Sequence, residues 1–120
     1  MTGEKPIGKG EPKHTAETTQ SVEGKLARYL LNAAHPVGGS KAKWFREALG
    51  FDASNAAVLA SQIVFDTAAA TRTAQTEHGD KYNQVISVTG ANGKTIDVTF
   101  AWIHNTDGFV RLVTSISAKR

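Results

Sequence analysis

Cysteine is absent from the 120-residue chain. That removes disulfides, thiolate zinc sites and cysteine nucleophiles together, and it suits a protein that unfolds, crosses an envelope and refolds. No apolar run approaches the roughly 20 residues that a bilayer span needs. The longest weakly polar stretch, residues 56–70, is broken by Ser61, Gln62 and Asp66 and reads as a core helix. The opening residues carry no signal-peptide pattern. Charge of neither sign dominates. The net charge of +3 and a pI near 9.3 give a slight bias toward polyanions, and Lys5, Lys9 and Lys13 place part of it in the first segment.

What is present fits one domain. Residues 1–20 hold Gly, Pro, Lys, Glu and Thr with few apolar side chains, too few to offset the entropy of ordering, and are expected to be a flexible linker. Such a start suits the C-terminal part of a longer protein or the loose beginning of an independent one. Residues 21–120 form the expected folded domain. Ser21 and Gly24 open a helix with Leu26, Tyr29 and Leu30 at helical spacing, which stops before His35-Pro36. Ser40 caps a second helix over residues 41–49, ended by Gly50. A third, capped by Asp52 or Ser54, carries Val58, Leu59, Ile63 and Phe65 and runs to Thr67 or Ala70.

The pattern then changes to alternation. Residues 82–88, 95–104 and 110–117 are rich in β-branched and aromatic side chains, and 71–77 adds an edge strand. Turn chemistry separates them at Gly90-Ala91-Asn92-Gly93 and Asn105-Thr106-Asp107-Gly108. Ile96, Val98, Phe100 and Trp102 share one face of the central strand, and Asp97, Thr99, Ala101 and Ile103 the other. The expectation is an α+β fold: N-terminal helices packed on one face of a small antiparallel sheet.

The most unusual local sequence is His35-Pro36-Val37-Gly38-Gly39-Ser40-Lys41-Ala42-Lys43. A glycine pair before a helix start lets backbone N–H groups approach an anion, and Lys41 and Lys43 add charge there. The spacing is not that of a nucleotide P-loop. Of the four histidines, His14 lies in the expected linker, and His104 ends a strand on the face of Trp102. His35 and His78 sit in loops beside glycine, where imidazole serves as base or acid. The histidines lack metal-ligand spacing and carboxylate companions, so neither a metal nor a cofactor is expected. Lys81 alternates with Tyr82, so one faces the helices and the other the open side. Strict alternation puts Thr114 on the face of Leu112, opposite Arg111, unless a bulge intervenes.

Residues 25–115 resemble a bacterial domain family with the pattern K-L-x-x-Y-L-L-N-x-x-H-P-x-G-G-S-K-A-x-F-F, then G-x-K-Y, G-x-N-G-R/K, V-W-I and R-L-V-T. Here these run from Lys25 through Phe45, then Gly79-Asp80-Lys81-Tyr82, Gly90 to Lys94, Ala101-Trp102-Ile103 and Arg111-Leu112-Val113-Thr114. Trp44, and Ala101 before Trp102, depart from the pattern without removing a polar candidate. Domains of this kind are similar to the toxin tips of polymorphic and contact-dependent growth-inhibition (CdiA-type) systems, and to the barnase, EndoU, colicin and RelE group of ribonucleases.

The resemblance implies a toxin domain that is secreted or delivered at the cell surface and acts in the cytoplasm of a target bacterium. It also implies a cognate immunity protein and RNA, frequently tRNA, as substrate; the domain is expected to be monomeric. The expected chemistry is metal-independent transesterification. In it His35 is base or acid, Lys41, Lys81 and Arg111 stabilise the phosphorane, and Thr114 bonds a phosphate oxygen. Lys43, His78, Tyr82 and Trp102 are the expected RNA contacts, with Trp44 a further stacking candidate. Two rivals stand beside it. A metal-dependent DNA-cleaving toxin needs more clustered carboxylates than the chain has, and a non-catalytic binding or antitoxin-like module is harmless when overexpressed.

Overall fold

Thr15 begins the first helix: it accepts from the Thr18 N–H while its own N–H donates to the Thr18 hydroxyl. In the computed structural model, which describes residues 11–116, α1 (Ala16–Lys25) continues into a π-helical turn, Leu26–Leu30. Val22, Leu26 and Leu30 recur at intervals of four and are all buried. The second helix, α2 (Gly39–Trp44), also runs on through a π-helical turn, Phe45–Leu49. It ends at Gly50 (φ 78°), where the Phe51 N–H returns to the Phe45 carbonyl. Asp52 caps a 3₁₀ turn, Ala53–Asn55, that leads into α3 (Ala56–Ala60).

Helical order therefore begins before the expected boundary at Ser21. Residues 1–10 of the expected linker lie outside the described residues, but residues 11–20 belong to the fold. Composition misjudged them because reciprocal capping by Thr15 and Thr18, and burial of Thr18 and Val22, anchor a helix of low hydrophobicity. The third helix is also shorter than its pattern. Past Ala60 the chain straightens so that Ile63 and Phe65 are both buried and Val64 and Asp66 exposed. Side chains then satisfy the freed backbone groups. Gln62 exchanges two hydrogen bonds with Thr89, and Gln84 donates to the Val64 carbonyl and accepts from the Asp66 N–H.

Four strands follow: β1 (Thr71–Thr76), β2 (Gly79–Thr89), β3 (Thr95–Asn105) and β4 (Val110–Ile116). They form one antiparallel sheet in sequence order. The helices cover one face, and the α+β architecture is as the pattern implied. Ser117, expected to end the last strand, lies outside the described residues. Val98, Phe100 and Trp102 of β3 are buried against the helical layer with Phe45, Leu49 and Phe51, while Thr99, Ala101 and Ile103 look outward. Among the described residues no helix is long and apolar enough to cross a membrane.

Candidate functional site

The edge strand β4 departs from strict alternation. Trp102 pairs with Leu112 but Ala101 pairs with Thr114, so Val113 is the extra residue of a bulge. The bulge brings Thr114 onto the side of the strand that carries Arg111. Beside this stretch, α1 and its π-helical turn run past the free edge of β4, and Ser21 seals part of it. Its hydroxyl accepts from the Leu112 N–H and donates to the Thr18 carbonyl. What remains open is a cleft of about 730 Å³. Lys25, Arg28, Tyr29 and His35 line one wall and Arg111 to Thr114 the other.

Tyr29 stands at its centre. The Thr114 hydroxyl donates toward its oxygen at 3.4 Å, the His35 ring meets it edge-on at 5.0 Å, and the Lys25 ammonium lies 5.7 Å from its ring centroid. Gly38 makes this packing possible. A β-carbon on Gly38 would sit 2.4 Å from the Tyr29 carbonyl oxygen and 2.6 Å from its ring. Arg28 folds back across Gly24 in the same way.

His35 is fixed by its own turn. Its Nδ1 accepts from the Val37 N–H at 3.0 Å and the Gly38 N–H at 2.8 Å. An imidazole accepting at Nδ1 carries its proton on Nε2. The same bonds correct the expectation of an anion cradle at the glycine pair. The amides of Val37 and Gly38 are taken by His35 Nδ1, and that of Gly39 donates to the His35 carbonyl. With the pocket for an anion already filled by the protein's own acceptors, the turn shapes His35 instead.

Arg111 is held from three directions. Its guanidinium donates to Asn105 and to both carboxylate oxygens of Asp107, at 2.8, 3.2 and 2.9 Å, with Glu17 at 3.9 Å. The Arg111 bond, and then the Phe109 N–H, hold the Asp107 carboxyl below the ordinary carboxylate range.

The other sequence candidates lie elsewhere. The Lys41 ammonium donates to the Ser115 carbonyl at 2.7 Å, fastening α2 to the end of β4 outside the cleft lining. Lys43 is exposed on α2, and His78 is exposed in the β1–β2 turn beside Glu77. Lys81 is exposed on the open sheet face, in the cross-strand row Lys81–Ile103–Arg111. Trp102 is fully buried, which corrects its expected role in RNA contact: no base reaches a side chain enclosed by the helical layer. Tyr82 and Trp44 are half-buried, packed edge-on against Phe65 and Phe45.

Thus His35, Arg111 and Thr114 come together, and Lys41 and Lys81 do not join them. Lys25, Arg28 and Tyr29, missed as site residues, are three and four apart, a spacing that puts them on neighbouring helix positions. Among the described residues no group of three or more His, Asp or Glu is placed to hold a metal ion.

Residues 14–119 match the family described as a domain of unknown function, DUF6883. The chain belongs to that family. The match begins at His14, in agreement with the start of the helical layer. No curated protein and no solved structure matches the chain. Membership in DUF6883 brings no activity with it, so a functional argument rests on the cleft.

Proposed function

We propose that the chain is a bacterial toxin module that cleaves RNA, tRNA foremost, by metal-independent transesterification and is neutralised by a cognate immunity protein. The observation that carries this reading is the single cleft in which Lys25, Arg28 and Arg111 surround the hydroxyls of Tyr29 and Thr114 and the imidazole of His35. Three cations beside two neutral donors, the Tyr29 hydroxyl and the His35 Nε2–H, suit a phosphodiester whose negative charge grows in the transition state. In this reading the toxin is delivered from a producer cell and acts in the cytoplasm of its target.

The RNA 2′-oxygen bonds to phosphorus as the P–O5′ bond breaks, leaving a 2′,3′-cyclic phosphate and a 5′-hydroxyl. The 2′-hydroxyl proton passes to solvent. The Tyr29 hydroxyl, which accepts from Thr114 and keeps its own hydrogen for a ligand, protonates the departing 5′-oxygen and is reprotonated by water. His35 acts as a hydrogen-bond donor through Nε2–H, because its Nδ1 lone pair is occupied by two backbone amides. Arg111, Arg28 and Lys25 stabilise the phosphorane, and Lys81 extends the positive track across the open face toward a neighbouring phosphate.

The test is to incubate the purified chain with total tRNA in EDTA. Fragments ending in a cyclic phosphate are the expected product. RNA that stays intact in EDTA and is cut only after a divalent metal is added would overturn the mechanism. Harmless overexpression in a bacterium without the partner would favour a binding module instead.

A further inference from the structure

His14 uses both ring nitrogens. Its Nδ1 accepts from the Phe65 N–H at 2.9 Å, and its Nε2 lies 2.9 Å from the Thr19 hydroxyl. The ring meets Trp102 edge-on at 6.4 Å, and Phe65 itself packs against Trp102 at 5.4 Å. A second tie lies alongside, where the Thr67 hydroxyl donates to the Pro12 carbonyl. The segment entering α1 is thereby fastened across the chain to residues 62–67, the run that closes the core beneath Phe65.

We propose that His14 is a pH-operated latch: unprotonated, it clamps the segment before α1 to the Phe65 run, and protonation releases the two. The reason is geometric. Protonated imidazole carries hydrogen on both nitrogens, so Nδ1–H would point at the Phe65 N–H, donor against donor. The Phe65 amide would then be left without an acceptor, and separation relieves both groups. Burial already pushes the His14 imidazole below its ordinary value.

The charged and titratable groups on the surrounding elements are Glu11 and Lys13 on its own segment, Glu17, Glu23 and Lys25 on α1, Asp66 on the run, and Asp80, Tyr82 and His104 on the helix-facing side of the sheet, where Asp80 pairs with Arg72. Among the described residues none of the carboxylates forms an ion pair with His14, although Glu23 borders the same small cavity, and desolvation sets the direction of the imidazole's shift. Because the latched form binds its proton more weakly, latching is complete above the ordinary imidazole value of about 6.5 and is lost as pH falls through the lowered one.

The experiment is amide exchange by NMR on the full chain between pH 7.5 and about 4.5, each rate divided by its intrinsic rate, with the His14 ring resonances followed in parallel. Phe65 protection is expected to fall by up to about tenfold per pH unit across the His14 titration, the limit for one linked proton, while β3 amides stay protected. Phe65 protection that is unchanged while His14 titrates would overturn the proposal. His14→Asn keeps an acceptor near the place of Nδ1 and is expected to hold Phe65 protected throughout. The same acid-induced loss in His14→Asn would also overturn it.

Discussion

Arg111 and Thr114 open from the same side of β4, although three positions separate them, because the extra residue at Val113 turns the strand between them. Both then reach the cleft that α1 borders, one fixed by Asp107 and the other facing the Tyr29 hydroxyl. Without the bulge, Thr114 would point into the helical layer.

The hydroxyl pair at the centre is the first thing to remove. Tyr29→Phe should lower RNA cleavage by about 100-fold or more, the scale of a positioned proton donor. Thr114→Val should lower it less, and both should fold, since neither contact supports the core. Single-turnover cleavage of tRNA in EDTA, with thermal unfolding alongside, separates the two effects.

Gly38 has no room for a side chain. Gly38→Ala forces its new methyl against the Tyr29 backbone and ring, which should cost about 1–3 kcal/mol. It should also loosen the bond from the Gly38 N–H to His35. Urea unfolding measures the first, and the ¹⁵N shift of His35 Nδ1 reports the second.

Lys41 behaves as a fastener between α2 and β4. Lys41→Met should cost about 1–2 kcal/mol through the lost bond to the Ser115 carbonyl, with cleavage per folded molecule nearly unchanged. A loss of cleavage at full stability would return Lys41 to the catalytic set.

Asp107 competes with any phosphate for Arg111. Asp107→Asn should therefore tighten binding of a non-cleavable RNA analogue and steepen its salt dependence, read by fluorescence anisotropy. Acid acts in the same direction. The folded-state carboxyl is held low, so its tie to Arg111 is complete above the ordinary carboxylate value of about 3.9 and weakens as pH falls through the lowered one.

Trp102 belongs to the core. Trp102→Ala should destabilise the domain by about 3–5 kcal/mol, whereas Trp102→Phe should leave RNA affinity unchanged. A specific loss of affinity in Trp102→Phe at full stability would restore it as a contact.

The amino-acid sequence by itself determined the order of elements, the two-faced pattern of β3 and the stop at Gly50, whereas the first helix ends at Leu30, ahead of the stop expected at His35-Pro36. What it determined follows from local rules, namely side-chain period and the left-handed conformation open to glycine. It also singled out His35, Arg111 and Thr114, as residue types in a suggestive pattern, but it did not show that they meet.

Their meeting depends on tertiary structure. The Val113 bulge is a property of strand pairing, and Tyr29 becomes the centre of the cleft only because Gly38 and β4 pack beside it. Long-range partners likewise ended α3 early and gave His14 a place in the fold, through the backbone bonds with Gln62, Gln84 and Phe65. A buried backbone group takes whichever acceptor or donor the folded chain brings to it, and sequence spacing does not reveal which one arrives.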